Sequence, residues 1–310
     1  MAVSNIRDAV TAIDELGQFS MGNFARKLSG SPTWSSGIWA DTTMWGGQPA
    51  ASYYASAPLA FAPMSKSTHG GWDHGPSMAP KTKYLSRLAN LLVWFTHSGI
   101  IVDVLGYYPF VDEATVNEWQ DLDNTTPRTT RHGSGVGVKA HLVSVAPASL
   151  LAGSIGTRVT IRYTNSDGVP GRLSKPALLQ YSVNANSAIM TAGTTHASGV
   201  FTTIGPFLPL QQGDVGIQSI EGVLVEGPGD TGLFTIVLTR PIVNMHPSNG
   251  LIQGDLSPIR SYTEHNFPRT LPKFPIIPDD AFMSCLLLTA SSGTHNSVGN
   301  LHVDFDTFWG

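Results

Sequence analysis

One short stretch of the sequence, His69-Gly-Gly-Trp-Asp73-His74, collects residue types that can bind a metal ion. Its two imidazoles and one carboxylate are three potential ligands for Zn²⁺ or a similar ion. The pattern does not require a matching His or Cys pair elsewhere in the sequence. Its two glycines favour a flexible loop. We therefore interpret the stretch as a loop without a metal, and predict no cofactor.

Two further stretches are rich in the oxygen ligands that Ca²⁺ prefers. Asp121-x-Asp123-Asn124 resembles part of a calcium loop but lacks the glycine and the distant glutamate of a complete one. The residues from Asn165 to Gly168 are also compatible with Ca²⁺, yet a hairpin turn explains them without an ion. We interpret both stretches as turns.

The sequence contains no motif of a known catalytic type. It has neither a Gly-x-Ser-x-Gly elbow nor a phosphate-binding loop, and Gly133-Ser134-Gly135 is too short to replace the elbow. Asp279 and Asp280 are adjacent, so on a strand their side chains point apart and make a poor acid–base pair. The single cysteine, Cys285, lies in an apolar run and is expected to be buried. The sequence thus predicts a protein that is not an enzyme.

Composition limits the classes of partner. Charged residues make up only 13% of the 310 residues, against roughly 25% in ordinary soluble domains. So low a fraction of charged residues favours burial of the protein surface against copies of the chain or against other proteins. The net charge of −4 and the lack of a Lys/Arg run argue against nucleic-acid binding. The sequence contains no uninterrupted apolar segment of about 18 residues, which is the length that predicts a membrane span.

The elements that must position these residues are β-strands. Val159, Ile161 and Tyr163 alternate with polar residues, the period-2 pattern of a half-buried strand, and the turn-forming residues from Asn165 to Gly168 follow at once. The same pattern recurs at residues 200–210, 216–225 and 232–240. These runs predict an all-β protein.

Two pairs of apolar runs predict β-hairpins. Residues 83–108 divide at Ser98-Gly99, which is typical of a hairpin turn. Residues 281–290 and 298–309 form the second pair. Together the runs give about ten strands, and we predict a jelly-roll-like β-sandwich with a short N-terminal helix and an extended arm. The chain divides into an N-terminal helix and arm (1–80), a sandwich core (81–240), and a Pro-rich loop with a C-terminal hairpin (241–310).

The N-terminal segment is the predicted interface. Ser4 can cap a helix that ends near Gly17, which is too short to be stable alone and must dock on this core or on a neighbouring subunit. The aromatic residues that follow, in a stretch without regular period, suit an arm bound to a partner, or one that folds back over its own sheet edge. We therefore expect deletion of residues 1–60 to leave a folded β domain. The predicted interface residues are Ile6, Val10, Ile13, Trp34, Trp39, Trp45, Tyr53 and Tyr54.

Several strings, taken in order, resemble structural proteins of tailed bacteriophages: Tyr84–Arg87, Gly99–Pro109, Tyr163–Gly168 with Gly171-Arg172, and Phe308-Trp309-Gly310. The resemblance covers about residues 84–310, and the first eighty residues take little part in it. It implies a non-enzymatic virion component built on a β-sandwich, assembled in the host cytoplasm with copies of itself and other virion proteins.

We expect a capsid decoration, cement or minor capsid protein, with a neck or tail component as the alternative within the same class. From a different class, a carbohydrate- or receptor-binding module is the second hypothesis. The position of the seven tryptophans distinguishes the two classes. They are exposed in a shallow groove in a module that stacks on sugars, and buried under neighbouring subunits in a cement protein.

Overall fold

The computed structural model describes residues 6–28, 39–55, 60–93, 96–126, 128, 130–145, 157–179, 188–189, 205–228, 232–245, 260–266, 274–289 and 300–310. Helix α1 (Ile6–Val10) continues as a π-helical turn (Thr11–Glu15), and α2 spans Lys66–His69. Single 3-10 turns lie at Thr42–Met44 and Thr130–His132. No helix in these ranges is long and apolar enough to cross a bilayer.

Eighteen strands lie within the described residues. They are β1 (Phe19–Leu28), β2 (Trp39–Asp41), β3 (Gly46–Gln48), β4 (Ala62–Pro63), β5 (Lys83–Val93), β6 (Thr96–Tyr107), β7 (Val111–Asp112), β8 (Trp119–Asp121), β9 (Lys139–Ser144), β10 (Arg158–Asn165), β11 (Arg172–Leu173), β12 (Ala177–Leu178), β13 (Ala188–Ile189), β14 (Ile217–Glu226), β15 (Leu233–Met245), β16 (Arg260–Asn266), β17 (Met283–Thr289) and β18 (Asn300–Trp309). The predicted all-β sandwich with a short N-terminal helix is confirmed.

The largest sheet, here called the central sheet, closes on itself. Its strand order is β4-β6-β17-β2-β13-β9-β15-β7, and an additional pairing joins β6 to β15. Six strands, β6-β17-β2-β13-β9-β15, therefore form a ring in which each strand has two neighbours. A closed ring leaves these strands without free edges.

One apolar cluster fills the inside of the ring. All six ring strands contribute to it, through Trp39, Val102, Val104, Val143, Ile189, Val237 and Leu286. The residues that alternate with these belong to other clusters, because neighbouring side chains on a strand point to opposite faces. Ile101 and Cys285, for example, face outward.

Two further sheets cover the outside of the ring. The terminal sheet, β16-β5-β18-β1-β3, packs on one side through Leu85, Val303 and Phe305. The side sheet, β11-β10-β14-β8 with β12 on β10, packs on the other through Val159, Ile161 and Val223. The turn predicted at Asn165 to Gly168 is present, and the amide of Gly168 donates to the carbonyl of Asn165 at 3.1 Å.

Both predicted hairpins are wrong, although their strands exist. β5 pairs with β16 and β18 in the terminal sheet, whereas β6 pairs with β4, β15 and β17 in the central sheet. Likewise, β17 pairs with β2 in the central sheet, whereas β18 pairs with β5 in the terminal sheet. Ser98 and Gly99 lie inside β6 and not in a turn. Each pair of runs therefore crosses from one layer to the other, and adjacency in sequence did not determine pairing.

The arm is part of the sandwich. β1 pairs with β18 along its length, and β2 lies in the ring between β17 and β13. Strands from the three sequence segments thus share sheets. The alternation in β1 is hidden in the sequence because the register shifts between Ser20 and Asn23, which marks a β-bulge.

Candidate functional site

The metal-like stretch does not form a common site, because its three polar side chains have different partners. Nδ1 of His69 accepts from the amide of Ser65, and the carboxylate of Asp73 accepts from Nζ of Lys66 at 2.7 Å. His74 is buried. Among the described residues no group of three His, Cys, Asp or Glu side chains is placed to hold a metal ion.

His74 instead forms a buried polar cluster with a lysine and an aspartate. Its Nε2 donates to the carbonyl of Ala281 at 3.0 Å, while Nδ1 accepts from Nζ of Lys83 at 3.3 Å. Lys83 also lies 3.3 Å from the carboxylate of Asp279. Burial, together with the charge of Lys83, lowers the pKa of His74 to about 4. His74 is therefore neutral at physiological pH, and holds the loop before β5 against the start of β17.

The calcium-like residues have structural partners. Asp121 pairs with Arg162 at 2.7 Å, and Asp123 accepts from the amide of Thr125. The amide oxygen of Asn124 accepts from the hydroxyl of Tyr108 at 2.8 Å. These contacts hold β8 and its following turn on the side sheet.

The other sequence candidates also have structural partners. Asp279 accepts from Ser77 and the amide of Met78, whereas Asp280 accepts from the amide and hydroxyl of Ser67. Cys285 is fully buried, and burial raises the pKa of its thiol well above the ordinary value. A neutral thiol inside the core is a poor nucleophile.

A buried carboxylate, Asp103 on β6, connects this strand to a 3-10 turn and to the residue before β17. It accepts two bonds of 2.8 Å from Arg131, one of 2.7 Å from Nε2 of His132, and one of 3.0 Å from the amide of Phe282. Nδ1 of His132 in turn accepts from Arg240 at 2.6 Å, which fixes the neutral tautomer with the proton on Nε2. No local pattern in the sequence predicts this cluster, since its members are far apart along the chain.

A second buried carboxylate, Asp41, lies at the end of β2. It accepts from the hydroxyl of Tyr54 at 2.5 Å and the amide of Thr43 at 2.8 Å, and His141 lies 3.4 Å away. Burial by itself raises the pKa of Asp41, but its hydrogen bonds with His141, Thr43 and Tyr54 outweigh burial and lower it. Asp41 is therefore an ionised, fully bonded anchor, and none of these groups is presented to a substrate.

The structure divides the predicted interface residues into two groups. Trp39, Trp45 and Tyr54 are buried in the chain's own core, at 8%, 5% and 6% exposure, so their assignment to an interface is wrong. They are buried because β2 enters the ring and the loop after it packs on the sheets. Val10 and Tyr53 are exposed, and Ile13 is half-buried under the helix. The side chain of Ile6 and all of Trp34 lie outside the described residues.

An exposed apolar surface does exist at the N-terminus, but on different residues. Helix α1 and its π-helical turn pack on Tyr84 and Phe308 through Ala9, Ala12 and Ile13. The opposite side and the strand that follows expose five apolar side chains, here called the N-terminal surface: Val10, Leu16, Phe19, Met21 and Phe24. Their exposed fractions run from 41% to 69%.

A groove lies beside the last of these residues. This β1 groove has a volume of about 480 Å³ and is lined by Gly22, Asn23, Phe24, Gly47, Gln48, Pro49, Ala50, Gly71 and Asp73. Its floor is fixed from below by Lys27, whose Nζ donates to the carbonyls of Trp45, Pro49 and Ala50. Burial lowers the pKa of Lys27 to about 8.

Comparisons with known proteins do not assign the chain to a family. No family model matches the chain, and no curated protein matches it. One solved structure, of T=1 particles derived from infectious bursal virus, aligns over 97% of this chain and 82% of that chain, at 10% identity. Its TM-score is 0.12. Similarity at that level supports no conclusion about fold or function.

Phe19, Met21 and Phe24 are not among the interface residues predicted from the sequence. Phe19 and Met21 have the i, i+2 spacing of one strand face, a signal that was available. Phe24 breaks this alternation because of the bulge between Ser20 and Asn23. The groove itself has no sequence signal, since its three walls come from segments separated by 20 residues or more.

Proposed function

We propose that this chain is a non-enzymatic structural protein of a tailed-bacteriophage virion, most closely fitting a capsid decoration, cement or minor capsid protein. The N-terminal surface is the observation that supports this function. Five apolar side chains are exposed together on a helix and the adjoining strand of a chain with few charges. Burying a Leu, Met or Phe side chain contributes about 1.5–3 kcal/mol, so this surface can supply the apolar centre of an interface with another virion protein.

The positions of the polar clusters agree with the proposal. Asp41, Asp103 and His74 are buried and bonded to the chain itself, and each joins separate strands or loops. Such clusters suit a rigid building block. Among the described tryptophans, Trp39, Trp45 and Trp72 are buried, so they are not available to stack on a sugar, as the carbohydrate-binding hypothesis requires. Trp119 and Trp309 are half-buried, and the guanidinium of Arg162 lies over the ring of Trp119.

Particle fractionation tests the proposal. Mass spectrometry of purified heads and tails, from the phage that encodes the chain, should find the protein in the heads. The double variant Leu16→Asp/Met21→Asp should fold, judged by its melting temperature, but should be depleted from heads at least tenfold. Leu173→Asp, which changes a residue of similar exposure on the side sheet, is the matched control and should assemble normally.

Three results discriminate between the alternatives. Recovery of the protein in the tail fraction would favour the neck or tail component. Its absence from all particle fractions would contradict a virion function altogether. Normal assembly of the double variant would show that attachment uses another surface.

A further inference from the structure

Strand β1 is covered unequally on its two edges. β18 pairs with it from Phe19 to Leu28, but β3 pairs only with Arg26 to Leu28. Among the described strands, none pairs with Phe19–Ala25 on the β3 side. β3 ends where it does because Pro49 follows it and has no N–H for the ladder. The amide of Gly22 donates to the carboxylate of Asp306 at 2.9 Å. The backbone of Phe24, however, has no partner strand on this side among the described residues, so it is open to pairing with another strand.

The β1 groove lies at this uncovered edge. One wall is β1 itself, at Gly22, Asn23 and Phe24, and the end of β3 with the residues after it forms the second wall. The loop carrying Gly71 and Asp73 forms the third. A β-strand needs a spacing of about 4.8 Å from its neighbour and about 3.3 Å per residue. The groove lies beside Gly22–Phe24, in the part of β1 that β3 leaves unpaired, and a strand bound there would extend the terminal sheet.

The walls suit a peptide backbone with two particular side chains. Gly22 has a φ of +72°, and a Cβ placed there would meet nothing within 4 Å, so a second backbone can approach closely at this residue. The corresponding space at Gly47 and Gly71 is taken by the chain itself, by the carbonyl of Arg26 and by Phe282 and Met283. Phe24 is 49% exposed and stacks on His302, with ring centroids 6.2 Å apart, so its ring is held in a fixed orientation. The side chain of Asp73 is 81% exposed, and its Oδ1 accepts from Nζ of Lys66 at 2.7 Å and from the amide of Gly75 at 3.0 Å.

We propose that the β1 groove binds an extended peptide segment of another protein, which adds to the terminal sheet as a strand along Gly22–Phe24. An apolar side chain of the segment packs on Phe24, and a Lys or Arg side chain pairs with Asp73. Main-chain hydrogen bonds to β1 supply affinity, and these two side chains supply specificity. The proposal does not depend on the virion function, since it follows from the sheet edge alone.

Charge and shape select this occupant over others. The carboxylate of Asp73 is shared with Lys66, but at 81% exposure it can also accept from a second basic side chain, which it favours over an anion. The loops at residues 47–50 and 71–73 wall the groove, so a single extended segment can enter it, whereas the broad edge of a second folded sheet meets these loops first. A second copy of this chain, docked edge to edge, is therefore the competing arrangement that the experiment must separate.

Selection from a yeast-displayed library of random dodecapeptides against the full-length protein is the experiment. We expect enrichment of peptides that combine apolar residues with Lys or Arg. A synthetic copy of an enriched peptide should lose roughly tenfold or more in affinity to Phe24→Ala and to Asp73→Lys. It should bind Leu173→Ala, the control on the side sheet, as it binds the wild type.

Backbone methylation tests pairing with the strand edge. Two versions of the peptide, N-methylated at odd or at even positions, block hydrogen bonds on opposite edges, so only one should lose binding. The proposal is overturned if no peptide is enriched, if the groove variants bind normally, or if both methylated versions behave alike. It is also overturned if the wild type is a dimer that Phe24→Arg converts to monomers, since the occupant is then a second copy.

Discussion

At the scale of single residues, this protein holds its few internal charges by hydrogen bonds that reach between elements. Asp103 on β6 binds Arg131 and His132 in a 3-10 turn and the amide of Phe282 before β17. Its carboxylate is fully buried. Burying a carboxylate of this kind costs desolvation energy. Its hydrogen bonds and ion pairs offset that cost only while every partner is present.

We expect Asp103→Ala to lower the free energy of unfolding by about 3–5 kcal/mol, because it leaves Arg131 partly buried without its partner. The measurement is urea denaturation. Asp121→Ala is the control, since Asp121 is 79% exposed and its ion pair with Arg162 is worth at most about 1 kcal/mol. Equal losses in the two variants would show that the bonds of Asp103 to Arg131, His132 and Phe282 do not stabilise the fold.

His74 makes stability depend on pH. Its ordinary pKa is 6.5 and its pKa in the folded protein is about 4, so the unfolded state binds more protons between these values. The stabilising contribution is therefore complete above pH 6.5 and is lost as the pH falls towards 4. A shift of this size corresponds to about 3 kcal/mol across that window.

We expect His74→Gln to flatten the fall in unfolding free energy between pH 6.5 and 4, relative to the wild type. Urea denaturation at several pH values within that window measures the slope. His69→Gln is the matched control because His69 is exposed, and it should keep the slope of the wild type. If His74→Gln leaves the slope of unfolding free energy against pH unchanged, other groups cause the loss of stability in acid.

At the scale of elements, β1 and β2 carry the N-terminal segment into the two packed sheets. β1 lies between β18 and β3, and β2 lies between β17 and β13. By contrast, α1 and its π-helical turn cover only one small cluster on the outer side of the terminal sheet, around Tyr84 and Phe308. The helix is thus peripheral and the two strands are integral.

We expect two N-terminal deletions to differ sharply. Deleting residues 1–16 removes the helix and should cost roughly 2–4 kcal/mol while leaving a cooperative melt. Deleting residues 1–60 removes β1, β2 and β3, opens the ring and exposes the core, so no cooperative transition should remain. Circular dichroism during heating measures both. This replaces the sequence-based expectation that the longer deletion folds, and a cooperative melt of that deletion would show that the strands are dispensable.

At the scale of the whole molecule, the closed central sheet explains the most apolar stretch of the chain. β6 is buried on both faces, with Val102 and Val104 inside the ring and Ile101 and Leu105 outside. A strand buried on both faces has no polar alternation. Two flanking sheets cover the ring, and the N-terminal surface is left exposed at one edge of the molecule.

The sequence by itself determined the class of fold and the position of individual strands. Period-2 alternation located β10, and Val159, Ile161 and Tyr163 are fully buried as that pattern predicts. Turn chemistry located the turn after it. These features depend on residues close together in the chain, so local patterns are sufficient to predict them.

Only the tertiary structure decided which strands pair and which polar residues meet. Phe19 pairs with Phe308 across nearly the whole chain, while β5 and β6, neighbours in sequence, belong to different sheets. An apolar run records that a strand is buried, but not which strand lies beside it. For the same reason, the near-adjacent His69, Asp73 and His74 were separated, and the distant Asp103 and Arg240 were joined through His132.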